Sequence, residues 1–144
     1  MTPVVVDTDV VSFLFKNDSR AQLYLPLLKN QKLLVSFMTE AELEQWILLA
    51  KWGAGRVKRF QEFMTGFASV PSSRDLILMW AEAMVAARGS GRRIEAADAW
   101  IAATALLYGA ALITHNPKDY LGVPNLTRIS HQICLSGRVV RAIG

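Results

Sequence analysis

Cysteine is almost absent from this sequence. Cys134 is the only one in 144 residues, and a single thiol cannot close an internal disulfide. No group of cysteine and histidine residues has the spacing of a zinc site. These absences argue against a small disulfide-stabilised secreted domain and favour a reducing, cytoplasmic compartment. In that setting we expect Cys134 to be a small buried hydrophobic residue.

Long hydrophobic runs are also missing. Residues 99–117 carry no formal charge, but Gly109 interrupts the segment and Asn116-Pro117 ends it. Its apolar part is therefore shorter than the roughly 20 residues that a bilayer requires. The N-terminus has no basic region and reaches Asp7 too early for a signal peptide. We expect a cytoplasmic protein with no membrane partner.

Repeats, low-complexity tracts and linkers are absent too, so the length predicts a single domain over residues 1–144. The hydrophobic fraction of 52% is high for a domain of this size and indicates that a partner or a second copy covers some apolar surface. The net charge of +4 is compatible with a polyanionic partner. Basic residues form two clusters, which are equally typical of a solvated surface. The clusters are Lys51, Arg56, Lys58 and Arg59, and then Arg88, Arg92 and Arg93.

Short apolar segments that predict strands alternate with segments of helical periodicity. The predicted strands are 4–6, 33–35, Val70 and 111–114, with a further strand and tail in 126–144. The predicted helices are a short one capped by Asp9, then 20–30, 40–52 opened by Thr39, 56–66, a long helix capped by Ser72 or Ser73 that ends at about Arg88, and 94–108. The long helix that ends at about Arg88 is predicted to carry, on or near its buried side, Leu76, Met79, Trp80, Ala83 and Val85. This alternation predicts an α/β fold with a central, mostly parallel sheet flanked by helices.

Acidic residues stand where such a fold binds its ligands. Asp7 directly follows the first strand, and Asp119 follows the strand that ends at Thr114. Glu42 and Asp98 lie in the first turns of two predicted helices. Ligands of parallel α/β sheets bind beyond the carboxyl ends of the strands, so these carboxylates can meet at one edge.

Each acid also has a purely structural interpretation. Asp7 could cap a helix, although Asp9 is the better candidate. Glu42 fits a capping box with Thr39, and Asp119 could simply end a turn that Asn116 caps.

Asp98 is the most informative of the four acids. It lies on the helix face of Ile94, Ile101, Ala102 and Ala105, where a carboxylate needs a partner. Glu95, one turn earlier, could join it or only complement the helix dipole.

Four carboxylates in one place require a cation. Each pair would repel by roughly 4 kcal/mol at 4 Å and an effective dielectric constant near 20. Hard oxygen ligands without histidine or thiolate select Mg²⁺ or Mn²⁺. Such an ion neutralises a scissile phosphate and activates water, so the pattern indicates phosphodiester hydrolysis.

Four segments together resemble motifs of the PIN-domain ribonucleases, and most closely those of the VapC toxins of toxin-antitoxin pairs. The segments are residues 4–12, 39–43, 98–105 and 114–120, and their order and spacing match over residues 1 to about 129. The resemblance implies that Asp7, Glu42, Asp98 and Asp119 hold the metal, with Thr114 and Asn116 supporting the site or a water. It also implies a homodimer or higher homo-oligomer, a VapB-type antitoxin, and RNA as the substrate.

Some positions depart from the family pattern, and two other functions stay open. Asp9 replaces the asparagine usual after Asp-Thr and adds a negative charge, while Asn125 replaces a common glycine. The tail 130–144 matches no motif, and its Arg138 and Arg141 could contact RNA, a partner or neither. Residues 7–11 also resemble the opening motif of haloacid dehalogenase-type phosphatases, in which Asp7 would be the nucleophile. A third possibility is a non-catalytic PIN-like binding module.

Overall fold

The computed structural model describes residues 1–131, and the predictions for Cys134, Arg138, Arg141 and the rest of 132–144 lie outside that range. The strands are β1 (Thr2–Val6), β2 (Gln31–Ser36), β3 (Ala68–Val70), β4 (Ala111–Ile113) and β5 (Arg128–Ile129). The helices are α1 (Thr8–Lys16), α2 (Ala21–Leu28), α3 (Phe37–Ala50), α4 (Ala54–Met64), α5 (Arg74–Gly89) and α6 (Ala96–Leu107), and a short 3-10 helix spans Pro117–Tyr120. Every strand predicted within this range is present.

The strands form one parallel sheet in the order β3-β2-β1-β4-β5. This confirms the predicted α/β fold. Strands β2 and β3 lie on one side of the central strand β1, and β4 and β5, which come later in the sequence, lie on the other side. The strand order therefore reverses between β1 and β4, and a crevice opens beyond their carboxyl ends. Asp7 and Thr114 are the first residues after these two strands.

Two hydrophobic cores lie on opposite faces of the sheet. Because side chains alternate along a strand, Val5 faces one core while Val4 and Val6 face the other. Buried residues of α5 and α6 cover the first face, and those of α1 to α4 cover the second. Packing on both faces fixes β1, and with it the position of Asp7.

Two predicted helix starts are wrong. The cap of α1 is Asp7, whose carboxylate accepts the amide of Thr8, and Asp9 lies in the first turn instead. The cap of α3 is Ser36, whose hydroxyl accepts the amide of Met38. Thr39 is buried inside the first turn of α3, so it does not open the helix. In both cases the helix begins directly after a strand.

The later helices follow the prediction with two corrections. Ser73, one of the two predicted caps, caps α5, but Val85 is 72% exposed, so its predicted place on or near the buried side is wrong. Helix α6 begins at Ala96, two residues later than predicted, because residues 92–95 form an irregular connection and the cap residue Glu95 has an extended backbone. None of the helices in residues 1–131 combines the length and apolarity needed to cross a bilayer.

Candidate active site

The four predicted acids line one cavity of about 380 Å³ at the crevice between β1 and β4. Asp7 reaches it from the end of β1, Glu42 from α3, Asp98 from α6 and Asp119 from the 3-10 helix. The other lining residues are Thr8, Asp9, Ser12, Leu43, Trp46 and Asn116. Residues up to 112 positions apart in the sequence thus meet at one place; we call this space the acidic cavity.

Asp7 is the most enclosed of these acids, with 7% of its surface exposed. One carboxylate oxygen accepts the amide of Thr8 at 2.8 Å. The other accepts the hydroxyls of Thr114 at 2.7 Å and Tyr120 at 2.8 Å. Burial raises the pKa of Asp7 to about 6, while the Thr114 and Tyr120 hydrogen bonds act in the opposite direction. The protein therefore holds this carboxylate firmly but leaves its charge poorly compensated.

Glu42 contacts α1 rather than its own helix terminus. Its Oε1 accepts the hydroxyl of Thr8 at 2.7 Å, and that hydroxyl also lies 3.0 Å from the hydroxyl of Thr39. Since Ser36 caps α3, the capping-box interpretation of Glu42 is wrong. The glutamate is directed to the acidic cavity by a contact with the residue that follows Asp7.

Asp98 lies in the first turn of α6, where its side chain is half-buried and lines the acidic cavity. The hydroxyl of Tyr120, which donates to Asp7, also lies 3.5 Å from Asp98 Oδ1. Burial is the largest cause that raises the pKa of Asp98 to about 6, followed by the charges of Asp119, Glu42 and Glu95. The acids are thus close enough to destabilise each other's charged forms, as the sequence predicted. Asp119 itself is exposed.

Comparison with known proteins places this arrangement in a family. The sequence model of the PIN domain matches residues 4–121. The chain belongs to the PIN-domain family. Within the family it belongs with the VapC ribonucleases: Ribonuclease VapC1 of Haemophilus influenzae strain R2866 is 31% identical over 131 residues, covering 85% of this chain and 92% of that protein. The PIN-domain match over residues 4–121 spans all four motifs, whereas the resemblance to haloacid dehalogenase-type phosphatases is limited to residues 7–11.

Solved structures agree with this assignment. VapBC-1 from nontypeable Haemophilus influenzae has a TM-score of 0.77 and 26% identity, covering 91% of this PIN domain and 99% of that chain. VapBC2 from Rickettsia felis, solved bound to a DNA fragment from its promoter, has a TM-score of 0.79 and 22% identity, covering 90% and 98%. At 22% identity, the similarity to the Rickettsia felis structure supports only the fold.

Asp9 adds a fifth carboxylate to the cavity of this PIN domain. Its Oδ2 accepts the side-chain amide of Asn116 at 2.9 Å and the backbone amide of His115 at 3.3 Å, and its Oδ1 accepts the amide of Val10. Burial, then the charge of Asp7, raises the pKa of Asp9 to about 6. Asn116 stands at the start of the 3-10 helix, but its side chain makes no capping hydrogen bond there and binds Asp9 instead.

Two hydroxyl donors in the site were not predicted to have a role. Thr8 connects to Glu42 over 34 positions, and Tyr120 connects to Asp7 over 113. Both are sequence neighbours of predicted acids, since Thr8 follows Asp7 and Tyr120 follows Asp119. Their positions beside candidate acids were the only sign in the sequence that these hydroxyls belong to the site. The acid that each hydroxyl contacts could be identified only from the folded structure.

The charge and chemistry of the cavity fit a hard divalent cation. Within residues 1–131 no lysine or arginine lines the acidic cavity, and the only ion pair joins Arg20 to Asp18. No three Asp, Glu, His or Cys side chains in that part of the chain have the arrangement of a ready-made metal site. Mg²⁺ usually binds through only one or two carboxylates, with water and substrate phosphate completing its coordination. The uncompensated carboxylates of this PIN domain meet that requirement.

Proposed function

We propose that this PIN domain is a metal-dependent endoribonuclease and the toxin component of a toxin-antitoxin pair. The observation that carries the proposal is the convergence of Asp7, Glu42, Asp98 and Asp119 on one cavity without a basic side chain lining it. The resemblance to Ribonuclease VapC1 supports RNA as the substrate. The reaction is hydrolysis of a phosphodiester by water.

The four acids would hold Mg²⁺ or Mn²⁺. When bound, the ion supplies charge that neutralises the scissile phosphate and makes water more acidic at neutral pH. The protein's own contribution is orientation: Thr114 and Tyr120 fix Asp7, and Thr8 fixes Glu42. Asn116 fixes Asp9 at the edge of the same cavity. These hydrogen bonds hold the carboxylates in place before substrate arrives, which reduces the reorganisation that the reaction requires.

The proposal includes partners. Several structural relatives are VapBC assemblies, which supports a VapB-type antitoxin as a binding partner. Exposed apolar side chains on α3 and α5 offer surface for a second copy of the chain. They are Leu48, Leu49, Ile77 and Leu78. The activity on RNA is proposed to take place in the cytoplasm.

The proposal is tested by incubating the purified chain with a circular RNA, which only an endonuclease can open. We expect linear products in the presence of Mg²⁺ or Mn²⁺ and none in EDTA. Adding excess Mg²⁺ back to the EDTA sample should restore cleavage. Intact circles under all conditions, from a folded protein, would instead support the non-catalytic binding module. Equal cleavage with and without EDTA would exclude the role proposed for the metal.

Tyr120→Phe is expected to shift the pH dependence of RNA cleavage. The hydroxyl donates to Asp7 and favours its charged form, so its loss should raise the pKa of Asp7 from about 6 to a higher value. The acidic limb of kcat/KM against pH should move to higher pH, and the plateau should fall roughly ten- to a hundredfold as Asp7 loses a charge-assisted hydrogen bond of roughly 1.5–3 kcal/mol. The matched control is Tyr108→Phe, because Tyr108 is 49% exposed at the end of α6. A lower plateau with an unmoved limb would show that Tyr120 has only a structural role.

A further inference from the structure

A second and larger space opens beside the acidic cavity. It has a volume of about 780 Å³, which lies within the range of roughly 300–1,000 Å³ typical of ligand clefts. Asp98 and Asp119 line both spaces, so the two are continuous. The larger one is also lined by three cations, Arg88, Arg93 and Lys118, and by a third acid, Glu95. We call it the basic groove.

The three cations come from three different elements. Arg88 lies in the last turn of α5, Arg93 in the connection to α6, and Lys118 in the 3-10 helix beside Asp119. A cation near the C-terminus of a helix stabilises the helix through the helix dipole, and this structural role could explain the position of Arg88. That explanation does not apply to Arg93 or Lys118.

The cations are exposed and available to an anionic ligand. The only ion pair within residues 1–131 joins Arg20 to Asp18, so none of the three is paired with the acids of the groove. The main charges that act on the pKa of Asp98 are those of Asp119, Glu42 and Glu95, all of them acidic. Each of the three cations thus lines the groove without an ion pair to its acids, of which Asp98 and Asp119 lie at the acidic cavity and Glu95 directly precedes α6.

The wall that carries Arg93 is held against the segment that carries Lys118. A Cβ on Gly122 would come within 2.3 Å of the backbone oxygen of Arg92 and 2.9 Å of the Cβ of Ala87. The backbones therefore approach each other at a distance that only glycine permits. The amide of Arg92 also donates to the oxygen of Ala87 at 3.0 Å. The connection is thus fixed relative to the acidic cavity rather than free in solvent.

We infer that the basic groove is a binding subsite for the RNA backbone, in which Arg88, Arg93 and Lys118 contact phosphates that flank the scissile one. The inference rests on the proposed function, since it assigns the path of the strand next to the site of hydrolysis. A phosphate at the acidic cavity needs a cation there, while its neighbours along the strand meet basic side chains directly. Phosphate contacts of this kind position a strand without reading its sequence. The subsite therefore selects substrates with nucleotides on at least one side of the cut.

Binding is tested with the combined variant Arg88→Gln/Arg93→Gln/Lys118→Gln in an Asp7→Asn background, which keeps RNA intact in Mg²⁺. The affinity for a fluorescent single-stranded RNA, measured by anisotropy, should fall about tenfold. The slope of log Kd against log salt should fall by about 2, because each lost single-strand contact contributes about 0.7. The charge-matched control is Lys58→Gln/Arg59→Gln/Arg74→Gln, whose side chains are exposed and line neither space. Equal slopes for the two triple variants would overturn the inference.

Cleavage provides the second measurement, with Asp7 restored. The groove variant should raise KM for RNA about tenfold but cleave bis(p-nitrophenyl) phosphate, a diester too short to reach the groove, as fast as the wild type. An equal loss on both substrates would show that the cations act at the reacting phosphate or on the fold, and would also overturn the inference. If the wild type cleaves neither substrate, the proposed function fails, while the salt dependence of binding still decides whether the groove holds RNA.

Discussion

Asp98→Asn is expected to reduce Mg²⁺-stimulated RNA cleavage about a thousandfold while leaving the protein folded. A divalent cation contributes several kcal/mol to stabilising charge in the transition state, and each 1.36 kcal/mol corresponds to a factor of ten in rate. The amide introduced by the substitution would keep the shape of the side chain but lose the charge that attracts the ion. The rate is measured as single-turnover cleavage of a defined RNA under saturating Mg²⁺, and the fold by circular dichroism.

The control for this variant is Asp75→Asn, the same chemical change in the exposed first turn of α5. It should retain wild-type activity. In the absence of metal, Asp98→Asn should be at least as stable as the wild type, because it removes a half-buried charge that Asp119 and Glu42 destabilise. Full activity in the Asp98→Asn variant would remove Asp98 from the proposed site. A loss of activity accompanied by unfolding would contradict the expectation that the residue serves the metal rather than the fold.

The edge of the sheet at which the site lies was predictable from the sequence because strands in this chain are short, apolar and followed by polar residues. Val-Val-Val before Asp7 and Ala-Leu-Ile before Thr114 mark both the strands and their carboxyl ends. In a parallel sheet these ends share one edge, so the convergence of the acids follows from the order of the elements. The roles of the acids as metal ligands stay a proposal.

The exact helix starts were not predictable, because neighbouring residues carry equivalent signals. Asp7 and Asp9 are both good caps, as are Ser36 and Thr39. The choice depends on which residue leaves the strand with extended backbone angles, and Asp7 and Ser36 do so because each strand ends directly before or at that residue. The same correction changes the interpretation of Glu42, whose partner is Thr8 rather than the helix terminus.

Contacts between segments far apart in the chain could not be predicted from the sequence either. The hydroxyl of Tyr120 reaches Asp7 across 113 positions, and local periodicity carries no information about such a pair. Val85 was predicted on or near the buried side of α5, yet it lines the basic groove. The groove itself arises where the connection after α5 meets the 3-10 helix, and neither segment predicts it alone.

In the absence of metal, raising the pH from about 4 to about 7 is expected to lower the free energy of unfolding. Asp7 and Asp9 have their pKa raised from 3.8 to about 6 by burial, so the folded state binds these protons more tightly than the unfolded state does. The stability they contribute is complete below about pH 4 and is lost as the pH rises through about 6. A shift of this size corresponds to roughly 3 kcal/mol for one buried group. Asp18, whose pKa is lowered to about 2, acts in the opposite direction but in a window below pH 4.

Urea denaturation across this pH range, in EDTA and in Mg²⁺, measures the effect. Asp9→Asn should flatten the curve in EDTA, because it removes one buried charge and relieves Asp7, while Asp75→Asn should leave the curve unchanged. Asp9 is the position to substitute because it is not among the four acids proposed to hold the metal, and Asn116 can turn its side chain to accept from the amide that replaces the carboxylate. Mg²⁺ should stabilise the wild type most above pH 6, where the carboxylates are charged and repel one another. Parallel curves with and without Mg²⁺ would mean that the repulsion among these acids is not what a cation relieves.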